Sequence, residues 1–292
     1  MREGDYLANL TAIILTMNEE ADIAICINSI KRLADRIVVV DSGSTDKTVE
    51  IAKNHGADVY HNPFVNYATQ FNWALDNTGI DTLWVLRIDA DERFTPELCE
   101  EAAAECVKHV DDDINGMRVN QRVFFLNRWL KHGDVYPFQK LLIFKVGIGR
   151  IENRNIDEHT ILSHGRSILL KHDAEHYAIK NIHGWIHKHN WYATRAAMDY
   201  FEQMDAKTAT DVVPGTMQTK RKQRVLYYKF PIFLRPFALF LYRYVIKGGF
   251  LDGTPGFIYH IMLNFWYREL VDAKIYEHEI MKTEFAKTGP LM

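Results

Sequence analysis

Only three cysteines occur in the 292 residues, Cys26, Cys99 and Cys106, at spacings that match neither a CxxC pair nor a zinc cluster. That excludes a disulfide framework and leaves the thiols as small buried hydrophobes of a reducing compartment. Glycine-rich phosphate loops are missing as well: neither GxxxxGKS/T nor a GxGxxG after the first strand is present. No apolar run reaches the roughly 20 residues of a spanning helix. The most apolar stretch, Val225–Ile246, is broken by Lys229, Pro231, Arg235, Pro236 and Arg243. The N-terminus, MREGDYLANL, is polar and shows no signal peptide, so a cytoplasmic chain is expected. A formal charge of −3 gives no reason to expect nucleic acid, and no repeat or low-complexity tract is visible.

Hydrophobic residues make up 47% and charged residues 25%, the balance of a folded protein with a sizeable core. The first half alternates β-branched runs with helical patterns. Strands are predicted at Leu10–Leu15, Arg36–Val40, Ala57–Tyr60 and Leu83–Ile88, and helices at Ala21–Leu33, Thr45–Asn54, Tyr67–Asp76 and Pro96–His109. This order implies an α/β fold with a mainly parallel sheet flanked by helices. Further strands are expected at Gly116–Phe125, Lys140–Phe144 and Ser167–Leu170, and a helix at His187–Met204. Thr, Asp, Pro and Gly interrupt the pattern near Thr208–Met217, which predicts a catalytic domain over residues 1–210 and a C-terminal extension over 211–292.

In parallel sheets ligands bind beyond the carboxyl ends of the strands, and the polar clusters fall there. The first strand ends in Thr16-Met17-Asn18-Glu19-Glu20 and the second in Asp41-Ser42-Gly43-Ser44-Thr45-Asp46. Thr45 and Asp46 read as a turn and helix cap. Asp41 sits where a carboxylate can accept from a base or from ribose hydroxyls. The fourth strand ends in Arg87-Ile88-Asp89-Ala90-Asp91-Glu92. Three carboxylates in four residues repel one another, and a hard divalent cation, Mg²⁺ or Mn²⁺, would relieve the repulsion while recruiting phosphate oxygens.

TMNEE, DSGSTD and LRIDADE together resemble family 2 glycosyltransferases of the GT-A fold, over about Leu10–Arg93. Within that family the chain is similar to bacterial lipopolysaccharide-core β-glucosyltransferases, which also carry segments like Phe71-Asn72-Trp73-Ala74 and Gly248-Gly249-Phe250-Leu251-Asp252-Gly253. The resemblance implies that Thr16, Asn18, Glu19 and Asp41 contact the nucleoside. It implies that Asp89 and Asp91, with Ala90 between them, meet ribose, diphosphate and metal, Asp91 being the firmer metal ligand. Gln70 and Asn72 would line the donor pocket. Phe71 stands where many relatives carry arginine, and Arg87 is the candidate for the missing phosphate contact. His172, after the run Ile168-Leu169-Leu170, is the candidate third metal ligand, with a hydrogen-bonded core histidine as the alternative.

Inverting transfer needs a base for the acceptor hydroxyl. Glu158, then Asp157, in Asn155-Ile156-Asp157-Glu158-His159 are the candidates, against a solvated acidic turn. His183 and His187 lie four apart without an intervening acid, which is weak support for zinc. Between Val212 and Leu251 stand eight basic residues and no Asp or Glu; without them the formal −3 becomes −11. Aromatics alternate with these cations, which predicts contact with an anionic membrane surface, the alternative being an intramolecular or homo-oligomer interface. The expected function is transfer of a sugar, glucose by resemblance, from a UDP-sugar to a saccharide or lipid-linked acceptor at the inner face of the membrane. The alternatives are a nucleotidyltransferase and a non-catalytic nucleotide-sugar or lipid-binding module.

Overall fold

The structure, a computed structural model, describes residues 8–152, 158–179, 181–205 and 226–282. The chain divides into two compact units, Met1–Asn127 with Tyr136–Ala178, and Arg128–Val135 with Ile179–Met292. The expected boundary near Thr208–Met217 lies outside the described residues.

The first unit is built on β1 (Leu10–Thr16), β2 (Arg36–Asp41), β3 (Asp58–His61) and β4 (Trp84–Asp89), which pair in parallel in the order β3-β2-β1-β4. Strands 1, 2 and 4 are near-continuous aliphatic runs because helices cover both their faces. Beyond β4 come β5 (Glu92–Phe94), β6 (Ile114–Phe125), β7 (Phe138–Lys145), β8 (Gly149–Ile151), β9 (Thr160–Leu162), β10 (Arg166–Leu169) and β11 (Ala174–Tyr177). The sheet continues from β4 as β7-β6-β11-β5, with β10 also on β6, and β8 and β9 form a separate antiparallel pair.

The expected mainly parallel sheet is therefore parallel in its first half and mixed in its second, since β7 runs antiparallel to both β4 and β6. The α/β arrangement of sheet, flanking helices and helical C-terminal part otherwise stands as expected. Strands β5, β8, β9 and β11 were not foreseen; at three or four residues each they are too short to show a period.

Helices α1 (Ile23–Ile30) and α4 (Pro96–Lys108) bury Ile23, Cys26, Ile27, Ile30, Leu98, Cys99, Ala102 and Cys106 against one face of the sheet. Helix α2 is Thr48–Asn54, and α3 (Tyr67–Asn77) packs Ala68, Phe71 and Ala74 on the other face with Ile13, Val40, Val85 and Phe144. Thr95 caps α4 ahead of Pro96, and Asn66 caps α3. All three cysteines are free and buried, as expected, and burial pushes the Cys99 thiol up to about 12.

The second unit is helical. It contains α5 (Ile182–Asp205), α6 (Leu234–Leu241), a π-helix (Tyr242–Ile246), a short 3₁₀ turn (Gly249–Asp252), α7 (Gly253–His260), a second π-helix (Ile261–Trp266) and α8 (Tyr267–Met281). Asp252, 2% exposed, accepts the backbone N–H groups of Lys131 and His132 and pairs with His132 Nδ1 at 2.8 Å.

Candidate functional site

Register fixes where the site lies. Thr16 pairs with Asp41 and Leu15 with Asp89, so the three strand ends reach one edge together. At that edge the tails of β1 and β2 are laced to each other. Asn18, at φ 57°, accepts from Thr45 N–H at 2.8 Å and donates its own N–H to Ser44 Oγ at 2.9 Å. Glu19 N–H donates to Thr48 Oγ1 at 2.7 Å, and Glu20 N–H to Asp46 at 3.1 Å. Asp46, one residue ahead of the Lys47 N-cap, also accepts from Thr48 N–H at 2.9 Å, and the helix begins at Thr48, not Thr45.

Asp41 is 1% exposed. Its carboxylate accepts from Thr16 Oγ1 at 3.1 Å, from the N–H groups of Gly43 and Ser44 at 2.9 Å each, and from Ser44 Oγ. Gly43 makes this turn possible at φ 102°, a conformation side chains resist. The structure thus spends Asp41 and Thr16 on shaping the loop against which a nucleoside would rest. Gln70, fully buried, similarly ties α3 to Ser42 and Asn62, and Asn72 clamps the backbone of Ile151 in β8 through both N–H and C=O. Both candidate pocket residues hold scaffold.

The end of β4 carries the acidic cluster. Of its three carboxylates Glu92 is withdrawn: it is 0% exposed and accepts from Lys140 Nζ at 2.8 Å, from Gln121 Nε2, and from the Asp89 N–H at 3.2 Å. Asp89 stays part-exposed, accepts from Tyr67 Oη at 2.7 Å and lies 3.6 Å from Lys140 Nζ. Arg87, 8% exposed, donates through Nε to Tyr67 Oη at 2.9 Å and stacks 4.3 Å over the same ring. Burial works against the Asp89 charge, yet Lys140, Arg87 and the Tyr67 hydroxyl outweigh it and hold the carboxyl below its ordinary pKa. Burial likewise opposes the Arg87 charge, and Tyr67, Asp89 and Glu158 together raise its pKa. Ala90 is buried and gives its carbonyl to Arg93 at 2.7 Å.

Lys140 and Tyr67 are the site residues that sequence reasoning missed. The only hint of Lys140 is a lone cation inside the strand Phe138-Gln139-Lys140-Leu141-Leu142. Two cations, Lys140 and Arg87, ease the repulsion among the three carboxylates by answering Glu92 and Asp89.

His172 does not face Asp91. Its N–H and Nδ1 both bind Glu101 of α4, at 2.9 and 2.8 Å, which makes it the hydrogen-bonded structural histidine. The histidine beside Asp91 is His176 of β11, with Nε2 3.4 Å from Asp91 Oδ2. Its Nδ1 is buried without a hydrogen-bond partner among the described residues. No group of three or more His, Cys, Asp or Glu side chains forms a cage among the described residues. Two protein ligands suit Mg²⁺ or Mn²⁺ nonetheless, because these ions bind through one or two protein groups plus substrate phosphates. Ligands about 2.1 Å from one octahedral ion stand about 3 Å apart, close to the separation of Asp91 and His176.

Glu158 is half-buried, and its charge acts on Arg87. It lies in the connection between β8 and β9, whose two ends are fastened by Glu152 and His159 at 2.9 Å. Asp157 lies outside the described residues. No helix among the described residues is long and apolar enough to cross a membrane.

The family model for glycosyl transferase family 2 matches residues 11–178. An uncharacterized glycosyltransferase of Rickettsia felis is 32% identical over 206 residues, 68% of this chain and 72% of that protein. A lipopolysaccharide core biosynthesis glycosyltransferase, LpsC of Rhizobium meliloti, is 29% identical over 94% of both chains. Among solved structures, glucosyl-3-phosphoglycerate synthase of Mycobacterium tuberculosis is 24% identical with a TM-score of 0.33, over 39% of this chain and 43% of that one. The matched span runs from β1 to the end of β11 and so contains every strand that carries the site: the chain belongs to glycosyl transferase family 2.

Proposed function

We propose that the chain is an inverting, metal-dependent hexosyltransferase, moving glucose from a UDP-sugar to a saccharide or lipid-linked acceptor in cell-envelope polysaccharide or lipopolysaccharide core synthesis. The observation that carries the reading is the split of the Asp89-Ala90-Asp91 pair. Asp89 is held by Tyr67 and Lys140, while Asp91 faces His176 at 3.4 Å. The likeness to LpsC over 94% of both chains supports the pathway, and the lack of a glycine-rich loop after β1 speaks against nucleotidyl transfer.

Asp91 and His176 would hold Mg²⁺ or Mn²⁺, which supplies positive charge for the departing diphosphate. The chain's own residues do the rest. The laced β1 and β2 tails, with Asn18 and Glu19 at their surface, form a rigid rest for the nucleoside. Asp89, kept ionised by Lys140 and Arg87, accepts from ribose hydroxyls. Glu158 takes the proton of the acceptor hydroxyl as its oxygen bonds to the anomeric carbon and the bond to UDP breaks on the opposite face. Fixing both partners in line provides much of the rate. The protein works at the inner face of the cell membrane, where a nucleotide-sugar and a lipid-linked saccharide meet.

The test is a panel of nucleotide sugars with Mn²⁺, scored for binding and slow donor hydrolysis, with and without chelator. UDP-glucose is the expected donor, with activity lost in chelator and in Asp91→Asn. Full hydrolysis in chelator, or an unchanged Asp91→Asn variant, overturns the mechanism.

A further inference from the structure

Helix α6 and the π-helix that follows it are built inside out. Their cations turn inward. Arg235 is 3% exposed, makes a two-pronged ion pair with Asp272 of α8, and lies over the rings of Tyr227 and Tyr228 at 5.2 and 4.8 Å. Arg243 donates to Asn264 Oδ1 at 3.0 Å. Their apolar side chains turn outward: Leu234 is 64% exposed, Phe237 53% and Ile246 73%, with Leu241 and Val245 exposed between them. These positions follow helical spacing and form one stripe. The next exposed apolar residues along the chain are Phe250 and Leu251. A helix facing water presents the reverse pattern, and a stripe of this size marks an interaction surface.

Charge identifies the partner. The exposed cations along this segment are Lys229 and Lys247, with the exposed, amphipathic ring of Tyr242 beside them. From Leu226 to Leu251 there is no carboxylate, and the first one after it, Asp252, is buried against Lys131 and His132. We propose that this face docks on an anionic lipid bilayer. Its aliphatic and Phe side chains would enter the headgroup and acyl boundary while Lys229 and Lys247 meet lipid phosphates. Thirteen residues, Leu234 to Ile246, are too few to cross the hydrocarbon core, so the segment lies in the plane of the interface. A second copy of the chain fits less well. In a twofold contact the patch meets its own image, and its lysines would find cations with no acid to answer them. The docking rests on the transfer reading only for its purpose, bringing the site to a lipid-linked acceptor.

The experiment is flotation of the full chain with phosphatidylcholine vesicles, with and without phosphatidylglycerol, at low and high salt. Binding is expected to the anionic vesicles at low salt and to weaken as salt rises. Lys229→Ala with Lys247→Ala is expected to weaken it roughly thirtyfold. Phe237→Ser with Ile246→Ser is expected to weaken it by at least about tenfold. Both pairs are surface changes, so unaltered thermal midpoints and donor hydrolysis are expected. No flotation of the wild-type chain overturns the proposal. So does flotation of the Phe237, Ile246 variant at wild-type level, or a loss of dimer by light scattering with vesicle binding unchanged. Donor hydrolysis on the same samples separates the two readings: its absence defeats sugar transfer and leaves the docking surface standing, and the converse also holds.

Discussion

Replacing Lys140 by methionine isolates the ion pair beneath the site. Glu92 is 0% exposed, and its partners are Lys140 Nζ at 2.8 Å, Gln121 and one backbone N–H. Removing the cation leaves a buried carboxylate with hydrogen bonds but no opposite charge. Breaking a buried pair from one side costs about 3–5 kcal/mol. The Lys140 side chain keeps 23% exposure, which admits some water and puts the expected loss at the low end, about 3 kcal/mol. Neutralising both partners, as Lys140→Met with Glu92→Gln, removes the unpaired charge. The double variant is expected to recover to within about 1 kcal/mol of wild type. Urea unfolding of the four proteins in the cycle, followed by tryptophan fluorescence of the sheet unit where Trp84 is buried, gives the coupling directly. A single-variant loss under about 1 kcal/mol, or losses that simply add in the double variant, would refute the view that Lys140 exists to answer Glu92.

Three further outcomes follow from the same structure. Mn²⁺ binding to the free protein, read by electron paramagnetic resonance, is expected to fall at least about tenfold in His176→Ala and stay near wild type in His172→Ala; the reverse pattern would restore His172 as the ligand. His260 is 0% exposed, and burial, with Arg243 nearby, lowers its pKa to about 4 from an ordinary 6.5. The unfolded chain therefore binds a proton that the folded one refuses. Stability is expected to be flat above about pH 7, and His260 to contribute a fall on the order of 3 kcal/mol between pH 6.5 and 4; His260→Gln would reduce the slope in pH-dependent unfolding and leave the share of His189, which burial likewise lowers to about 4. All three thiols are buried, and burial raises the pKa of each. Maleimide should label none in the native protein and all three in denaturant, and native labelling of Cys99 or Cys106 would show that α4 does not pack as described.

Much of the site's framework was legible because β1, β2 and β4 are aliphatic runs ending in polar residues, Thr16, Asp41 and Asp89. That pattern put Asp41 and Asp89 at one level, as the pairing of Thr16 with Asp41 and Leu15 with Asp89 shows. What failed to show in the sequence were partnerships across long stretches of chain. Glu92 looked like a third metal-facing carboxylate because its cation stands 48 residues away on another strand. The segment around Arg235 looked like a surface of unanswered cations because Asp272 lies 37 residues downstream. Asp41 has the residue type of a ligand contact, and nothing in one dimension reveals that the loop it starts turns back to donate to it.

The division between Asp89 and Asp91 has its own geometric origin. Residues two apart on a continuing strand point to the same face, and in that case both would meet Tyr67 and Lys140. Strand β4 stops at Asp89, and a turn at Ala90 and Asp91 leads into β5 at Glu92. Asp89 therefore keeps the strand's orientation toward Tyr67, while Asp91 falls in the turn, its carbonyl taken by the Tyr177 N–H at 2.9 Å. The residue that faces Asp91 is then set by how β11 pairs with β5, and that register places His176 opposite Glu92. Counting from the end of β10 points to His172 instead, which sits outside any strand and is held by α4 through Glu101. Which histidine faces Asp91 is thus decided by the pairing of two strands only three and four residues long, where sequence pattern carries least information and a single register shift would exchange the partner.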